Sequence, residues 1–531
     1  MEDALIDAPL GPEDASHRED IEDSFVDVGQ LIAGARISTD GAPARVVVGR
    51  KGSGKTHVLR HIENLSKAFG RDVSFCVIDR DLLSEGSLRS FSDSANITTF
   101  WTDLWRLAVI TAVLSRFTAR KPDPRATKAM QKKGTSVKDL EQDYERIHFI
   151  APRPFDPISA IYRIRAKYRS EESLRELFRT LIFSDMETDL GQLLQHYGEI
   201  HFIIDGLDEF AWMNPRAWLN MQIGLFKLVF LQSASRSYIR SVRLTISMRN
   251  YVYGHALQDT HSDRVGVGTG IVKLTWDKDA ALRFFDHRLQ QVAQFNFARA
   301  KHLLHERPFA NWLGFEQFRP FRRPKAELVE YYLLRHTRCA PRQVIKAFND
   351  LCSEQNKLSI NDKILEPERF REIISFQSRE TARNSVQTAA EELLAIFQYD
   401  TRLPRISSQR EAAKDYYIST VSSALMRAIS NCGSEITDRK LFRDNSLAEL
   451  RPLFEASSSE SELVDKIEET VWRSGIIAYP AYGELGVTWR YTWGEGEFGF
   501  IAPLQSSSII GFHPTMIDLC QLAVHQDGPV F

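Results

Sequence analysis

The sequence predicts an α/β core built on a parallel sheet, followed by a helical lid and a small C-terminal α+β module. Three observations predict it. A β-branched run, Ala44 to Val48, passes through a glycine-rich turn into an amphipathic helix. A second apolar run, Ile200 to Ile204, ends in the carboxylate of Asp205. Beyond about residue 278 helical periodicity dominates, until short strands rich in Tyr, Trp, Phe and Ile appear between 476 and 512.

Composition narrows the function classes. The chain has 531 residues, enough for about two to four domains of roughly 150 residues each. Lys and Arg total 68 and Asp and Glu 70, a net charge of −2, which argues against a uniformly basic nucleic-acid binder. With 43% hydrophobic and 26% charged residues, the chain is neither disordered nor a collagen-like repeat. The cysteines, Cys76, Cys339, Cys352, Cys432 and Cys520, are odd in number and form no CxxC pair. That disfavours a disulfide scaffold or a structural zinc site and suits a reducing cytoplasm. The acidic start, MEDALIDAPLGPED, lacks the apolar core of a signal peptide, and no apolar run approaches the roughly 18 residues of a membrane span. A cytoplasmic protein without membrane contact is expected.

The elements follow in order. Residues 1–24 read as an acidic flexible tail, and Phe25 to Ile37 as a short amphipathic segment. Ala44 to Val48 has the composition of a strand buried on both faces. The helix from about Lys55 to Ala68 carries Val58, Leu59, Ile62 and Leu65 on one face, with Gly70 at its stop. Val73 to Ile78 reads as the next strand. Residues 98 to 117 form an apolar helix whose Trp101 and Trp105, four apart, read as core rather than as a platform for bases. Residues 116 to 138 are rich in Arg and Lys and read as an exposed basic insertion, a surface that could touch a phosphate backbone or an acidic partner. After the strand at 200–204, Asn214-Pro215 starts a helix to about Gln232; Val242 to Ile246 is a strand followed by a loop, and Ile271 to Leu274 another strand. Later, Val386, Ala390, Leu393, Leu394 and Phe397 mark one helix face, Ser457 to Ser459 a short linker, 461–473 a helix, and Pro514 to about Val524 a final helix.

The sharpest chemical signal is Gly49-Arg50-Lys51-Gly52-Ser53-Gly54-Lys55-Thr56, which fits GxxxxGK[ST] between a strand and a helix. Gly49, Gly52 and Gly54 let backbone N–H groups, with that of Ser53, curl around phosphate oxygens, and the helix N-terminus adds partial positive charge. Lys55 reaches the β- and γ-phosphates, and Thr56 offers its hydroxyl to Mg²⁺. The second signal is Phe202-Ile203-Ile204-Asp205-Gly206-Leu207-Asp208-Glu209. Asp205 then stands at the sheet edge beside the loop, where it can hold Mg²⁺, and Asp208 or Glu209 can orient the attacking water. Gly266 to Gly270 is glycine-rich but reads as a turn, not as a second phosphate loop.

The pair GRKGSGKT and FIIDGLDE resembles the P-loop ATPases of the AAA+/STAND group, including NACHT and KAP-like proteins, and the DGLDE form is especially similar to STAND and NACHT members. VRLTISMRN, Val242 to Asn250, resembles the sensor-1 strand of STAND proteins, which implies that Arg249 reads the γ-phosphate. His336 to Ile345, with Pro341-Arg342, is similar to the sensor-2 segment of origin-recognition-type AAA+ proteins and implicates Arg342. Arg264 falls where AAA+ proteins often carry an arginine finger for a neighbouring subunit. STAND proteins set a winged-helix histidine against the nucleotide in a Met-His-Asp pattern; Met516-Ile517-Asp518 has isoleucine there, so the role is not transferred, nor to His513. The resemblance covers roughly residues 25 to 355, with about 145 residues between Thr56 and the DGLDE strand, which implies an insertion.

The expected organisation is an acidic tail, 1–24; a P-loop core, 25–277, with an insertion about 98–198; a helical lid, 278–355; a helical region, 356–456; and a winged-helix-like module, 457–531. The resemblance implies an ATP- and Mg²⁺-dependent molecular switch in bacterial antiviral defence, acting through a partner effector protein and as a homo-oligomer. The alternative is a nucleic-acid-loading ATPase whose winged-helix end and basic insertion hold DNA.

Overall fold

The computed structural model describes residue 10 and residues 44–77, 97–119, 155–194, 198–206, 215–234, 241–259, 270–296, 307–320, 325–359, 365–397, 407–454, 459–483, 486–490 and 507–524. Of the acidic tail only Leu10 lies among them, and there the expected flexibility does not hold: Leu10 is buried and its carbonyl accepts from Arg288 at 2.6 Å. The segment Phe25 to Ile37 and all but the first residues of the basic insertion lie outside them.

The core opens with β1 (Ala44–Gly49), α1 (Lys55–Ala68) and β2 (Asp72–Val77). Among the described residues four helices come next, α2 (Ile97–Ala119), α3 (Pro157–Lys167), α4 (Glu171–Thr180) and α5 (Phe183–Leu194), before β3 (Ile200–Asp205). Then come α6 (Pro215–Ala234), β4 (Val242–Met248), α7 (Asn250–Asp259) and β5 (Gly270–Leu274). The five strands form one parallel sheet in the order β2-β3-β4-β1-β5. Helix α7 replaces the loop expected after β4. Its Asn250 and Gly254 read locally as turn residues, but Tyr251, Val252, Tyr253 and Ala256 are buried, and that packing overrides weak propensity.

Side chains alternate across the sheet with the strand period of two. Val46 and Val48 of β1, with Phe202 and Ile204 of β3, pack into the core under α2 and α6. Val47 and Ile203 point the other way, toward α1 and the lid. Trp101 and Trp105 are buried in the first layer, where the Trp105 indole N–H donates to the Met221 carbonyl at 3.0 Å. Gly224 lets α2 and α6 approach: a Cβ there would lie 2.6 Å from Trp101 Cβ.

The lid comprises α8 (Lys278–Asn296), α9 (Pro308–Leu313), the small hairpin β6 (Gln317–Phe318) and β7 (Glu327–Leu328), α10 (Val329–His336) and α11 (Pro341–Ser359). The 30-residue α12 (Pro367–Ile396) follows. At about 1.5 Å per residue it extends roughly 45 Å. Its Phe370 and Ile374 belong to the lid core, while Ala382 to Leu394 belong to the C-terminal core, so one rigid rod joins the two.

The C-terminal module runs α13 (Ser407–Ser430), β8 (Ile436–Asp438), α14 (Arg439–Leu450), α15 (Glu460–Arg473), β9 (Ile477–Gly483), β10 (Gly486–Arg490), β11 (Ile509–Phe512) and α16 (Pro514–Cys520). Its sheet has the order β10-β9-β11-β8, with β11 antiparallel to both β9 and β8. Three helices with a strand between the first two, followed by a β ribbon, give the winged-helix-like arrangement that the sequence suggests. The sheet reaches back to Ile436, ahead of the 457–531 span expected for the module. Helix α16 stops at Cys520, short of Val524, because Gln521 takes a left-handed backbone at φ 56.

Candidate phosphate-binding site

The glycine-rich loop leaves the C-terminal edge of β1, the central side of the sheet, where crossovers diverge and open α/β sheets leave a crevice. Gly52 and Gly54 have φ of 80 and 92, a region that favours glycine. At Gly49 a Cβ would stand 2.2 Å from the Ser53 hydroxyl. Ser53 Oγ is buried and has no hydrogen-bond partner among the described residues. An orphaned hydroxyl inside a glycine-lined turn at a helix N-terminus fits an anion such as phosphate. Lys55 is buried, its ammonium donating to the carbonyls of Gly49 at 3.1 Å and Arg50 at 3.0 Å.

Thr56, the second residue of α1, donates its hydroxyl to Asp205 Oδ2 at 2.7 Å. The other oxygen of Asp205 accepts from Ser247 Oγ of β4 at 2.5 Å. Parallel pairing, Ile204 with Ile246 and Val48 with Met248, brings these strand ends to one edge. A hydroxyl and a carboxylate in this position are hard oxygen donors that suit Mg²⁺.

Arg249 directly follows β4 and is buried, with Glu391 Oε2 of α12 at 3.6 Å. Arg342 sits at the start of α11, where its backbone N–H donates to the Gly52 carbonyl at 3.3 Å. The Trp276 indole likewise donates to the Ser53 carbonyl at 2.9 Å. The lid therefore rests on the loop backbone. Arg249 and Arg342 line one cleft of about 150 Å³, together with Arg50, Lys51, Arg338 and Arg473. Glu392 is the acidic residue of its lining. Burial pushes the Glu392 carboxyl up to about 7, against the opposing pull of Arg473, which donates to it at 2.9 Å. Burial also lowers the Arg50 guanidinium to about 10. Six cations line this cleft against Glu392, with Glu391 beside Arg249 and Glu469 beside Arg473, so the lining is net positive and suits an anion.

Thus Gly49, Gly52, Ser53, Gly54, Lys55, Thr56 and Asp205 form one cluster, and Arg249 and Arg342 share the cleft beside it. Asp208, Glu209 and Arg264 lie outside the described residues. His513 is fully buried; its Nδ1 accepts from the Thr515 N–H at 3.1 Å and starts α16, a structural task. Sequence reasoning passed over Ser247, Trp276 and Arg338. Ser247 carried a usable signal, a hydroxyl two residues before Arg249 at the C-terminal end of β4; the other two act through tertiary contacts that no local pattern encodes.

No family model and no curated protein matches the chain. Among solved structures, a Walker-type ATPase of Pyrococcus abyssi is 12% identical, with 88% of this chain and 94% of that one covered and a TM-score of 0.35. The ORC2 protein of Aeropyrum pernix, in ADPNP-ADP complexes, is 11% identical, with 97% of each chain covered and a TM-score of 0.36. Cdc6p of Pyrobaculum aerophilum is 12% identical, with 98% of each chain covered and a TM-score of 0.28.

Proposed function

We propose that this chain is a Mg²⁺-dependent ATPase that works as a molecular switch. The observation that carries the reading is the Thr56–Asp205 pair at 2.7 Å, set beside a glycine-lined loop and an arginine-rich cleft. Bound ATP and Mg²⁺ supply the phosphoanhydride to be cleaved and the cation that neutralises it. Loop N–H groups and Lys55 bind the phosphates; Thr56 and Asp205 hold the metal; Ser247 keeps the carboxylate oriented. Asp208 or Glu209 acts as base toward the attacking water. Arg249 and Arg342 meet the γ-phosphate and draw the lid onto the core, and hydrolysis removes that anchor. Arg264 serves a neighbouring subunit of a homo-oligomer. The finer reading, a STAND-like switch that activates a partner effector in bacterial antiviral defence, rests on the DGLDE and SMR resemblance.

The decisive experiment is equilibrium binding of a fluorescent ATP analogue to the wild type and to Lys55→Ala, with circular dichroism to check the fold. Binding is expected to vanish in a folded variant. Wild-type affinity in Lys55→Ala would sink the reading.

A nucleic-acid-loading ATPase is the second reading, favoured by the winged-helix order of α13 to β11. In helix-turn-helix modules the later helix enters the major groove. Here the solvent side of α15 offers Glu460, Glu462, Asp465 and Glu469 against Lys466 alone. Asp465, Glu460 and Glu469 are paired with Arg443, Arg451 and Lys466, so this face offers a phosphate backbone no surplus of cations, and the protein-partner reading is preferred. A salt-dependent shift of duplex DNA that is lost on removing residues 459–524 would reverse the preference.

A further inference from the structure

Between α10 and α11 the chain makes a turn that L-amino acids resist. Arg338 and Cys339 are adjacent, buried and left-handed, with φ of 56 and 52. Such a backbone costs a non-glycine residue about 1–2 kcal/mol, and it persists only where surrounding contacts hold it. The contacts here are unusual in their reach. The carbonyl of Arg338 accepts from the Arg50 guanidinium of the glycine-rich loop at 3.0 Å. Its own guanidinium donates to Ser385 Oγ of α12 and to the carbonyl of Ser474, which caps α15 of the C-terminal module. One residue thus has its backbone on the phosphate loop and its side chain on the distant module. Four residues further on, the Arg342 N–H is bonded to Gly52, so the same turn also sets the lid against the loop.

We propose that Arg338 is the positioning residue that couples occupancy of the phosphate loop to the C-terminal module. Arg50 is a cation of the cleft, and an anion bound there competes with the Arg338 carbonyl for its guanidinium. Loss of that bond frees the strained turn to relax. Relaxation shifts the Arg338 side chain, because backbone and Cβ rotate together, and loosens the end of α15 and the adjoining β9. The proposal rests on the nucleotide-binding reading above and adds a route for its signal.

The test is hydrogen exchange of residues 459–483 in the full chain, with and without ATP·Mg²⁺, alongside nucleotide affinity in the same samples. In the wild type ATP should speed exchange at 470–480 by about tenfold, the effect of losing one buried charge-assisted hydrogen bond. Arg338→Ala, which also removes one cation of the cleft, is read at saturating ATP and should exchange equally fast with and without it. Should Arg338→Ala not fold, Ser385→Ala removes one acceptor of the same guanidinium and should shrink the ATP-dependent difference. An ATP-dependent difference that survives in Arg338→Ala, or that is undiminished in Ser385→Ala where only that variant folds, overturns the coupling. So does a wild type that binds ATP without any change at 470–480. Absence of ATP binding in the wild type overturns the nucleotide reading itself, and the coupling with it.

Discussion

Thr56 and Asp205 stand hydroxyl to carboxylate at 2.7 Å although 149 positions separate them in the chain. The contact exists because β3 and β1 end at the same sheet edge with β4 between them, and because Ser247 of β4 fixes the other carboxylate oxygen. Under the proposed ATPase function this pair would hold the metal. Asp205→Asn should therefore leave ATP binding without metal nearly unchanged and abolish the gain in affinity from added Mg²⁺, because an amide is a far weaker ligand for a hard cation. Titration of a fluorescent ATP analogue with and without Mg²⁺ checks it; an undiminished metal effect contradicts the assignment.

Arg249→Ala and Arg342→Ala should weaken ATP binding more than ADP binding. Both line the cleft beside the loop, and each is assigned to a phosphate that ADP lacks. Removing one charge-assisted contact should cost about 1.5–3 kcal/mol, roughly ten- to hundredfold in ATP affinity. Calorimetry with both nucleotides decides; equal losses for the two argue against a γ-phosphate role.

Gly224→Ala should destabilise the core although alanine is the better helix former. In an open helix the exchange gains up to about 1 kcal/mol. Here the added methyl meets Trp101 Cβ at 2.6 Å and the Thr102 nitrogen at 2.9 Å, so α2 and α6 must separate. Overpacking of this kind costs about 1–3 kcal/mol, readable as a lower urea midpoint. A higher midpoint refutes the packing argument.

Glu392 makes stability depend on pH. Its folded value, about 7, lies above the ordinary 4.5 because burial disfavours the charge, while Arg473 and Lys466 pull it down. The folded state then binds the proton more tightly than the unfolded state. Stability from this group is fully present below about pH 4.5 and is lost as pH rises toward 7. Glu392→Gln should flatten that part of the profile in denaturant melts at stepped pH; an unchanged slope excludes Glu392 as its source.

The sequence made legible what neighbours in the chain decide. The β-branched run at 44–48, the glycine turn and the face Val58, Leu59 and Ile62 specify β1, the loop and α1 locally, and α1 begins and ends as the periodicity predicts. Helix α7 was hidden because Asn250 and Gly254 carry turn character and only burial of Tyr251, Val252 and Tyr253 decides in favour of helix. Strand β8, three residues long, exists through pairing with β11 some 70 positions later, and no window in the sequence contains both. The same holds for the cleft. Its near wall, Arg50 and Lys51, lies inside the motif, whereas Arg338, Glu392 and Arg473 come from the lid, α12 and α15 and are joined only by folding.

Gly52 and Gly54 should respond differently to alanine, although both lie in the left-handed region. At Gly54, φ 92, a Cβ would meet nothing within 4 Å, so the cost is backbone strain alone, about 1–2 kcal/mol. At Gly52, φ 80, the Cβ would lie 2.8 Å from Gln343 Oε1 and 3.2 Å from Arg342 Cβ. Gln343 is a flexible side chain and can move, but Arg342 is fixed by its N–H bond to the Gly52 carbonyl. Alanine at 52 must therefore push the start of α11 off the loop and strain the backbone at once. The loss in unfolding free energy should exceed that of Gly54→Ala by about 1 kcal/mol or more. Trp276 offers a local reporter, since its indole is bonded to the Ser53 carbonyl: its fluorescence should shift in Gly52→Ala and stay near wild type in Gly54→Ala. The other tryptophans contribute to the signal, so the comparison is made in a Trp276→Phe background as well, where the shift must disappear. Equal stability losses, or a shift that persists without Trp276, contradict the close packing of the lid on the loop.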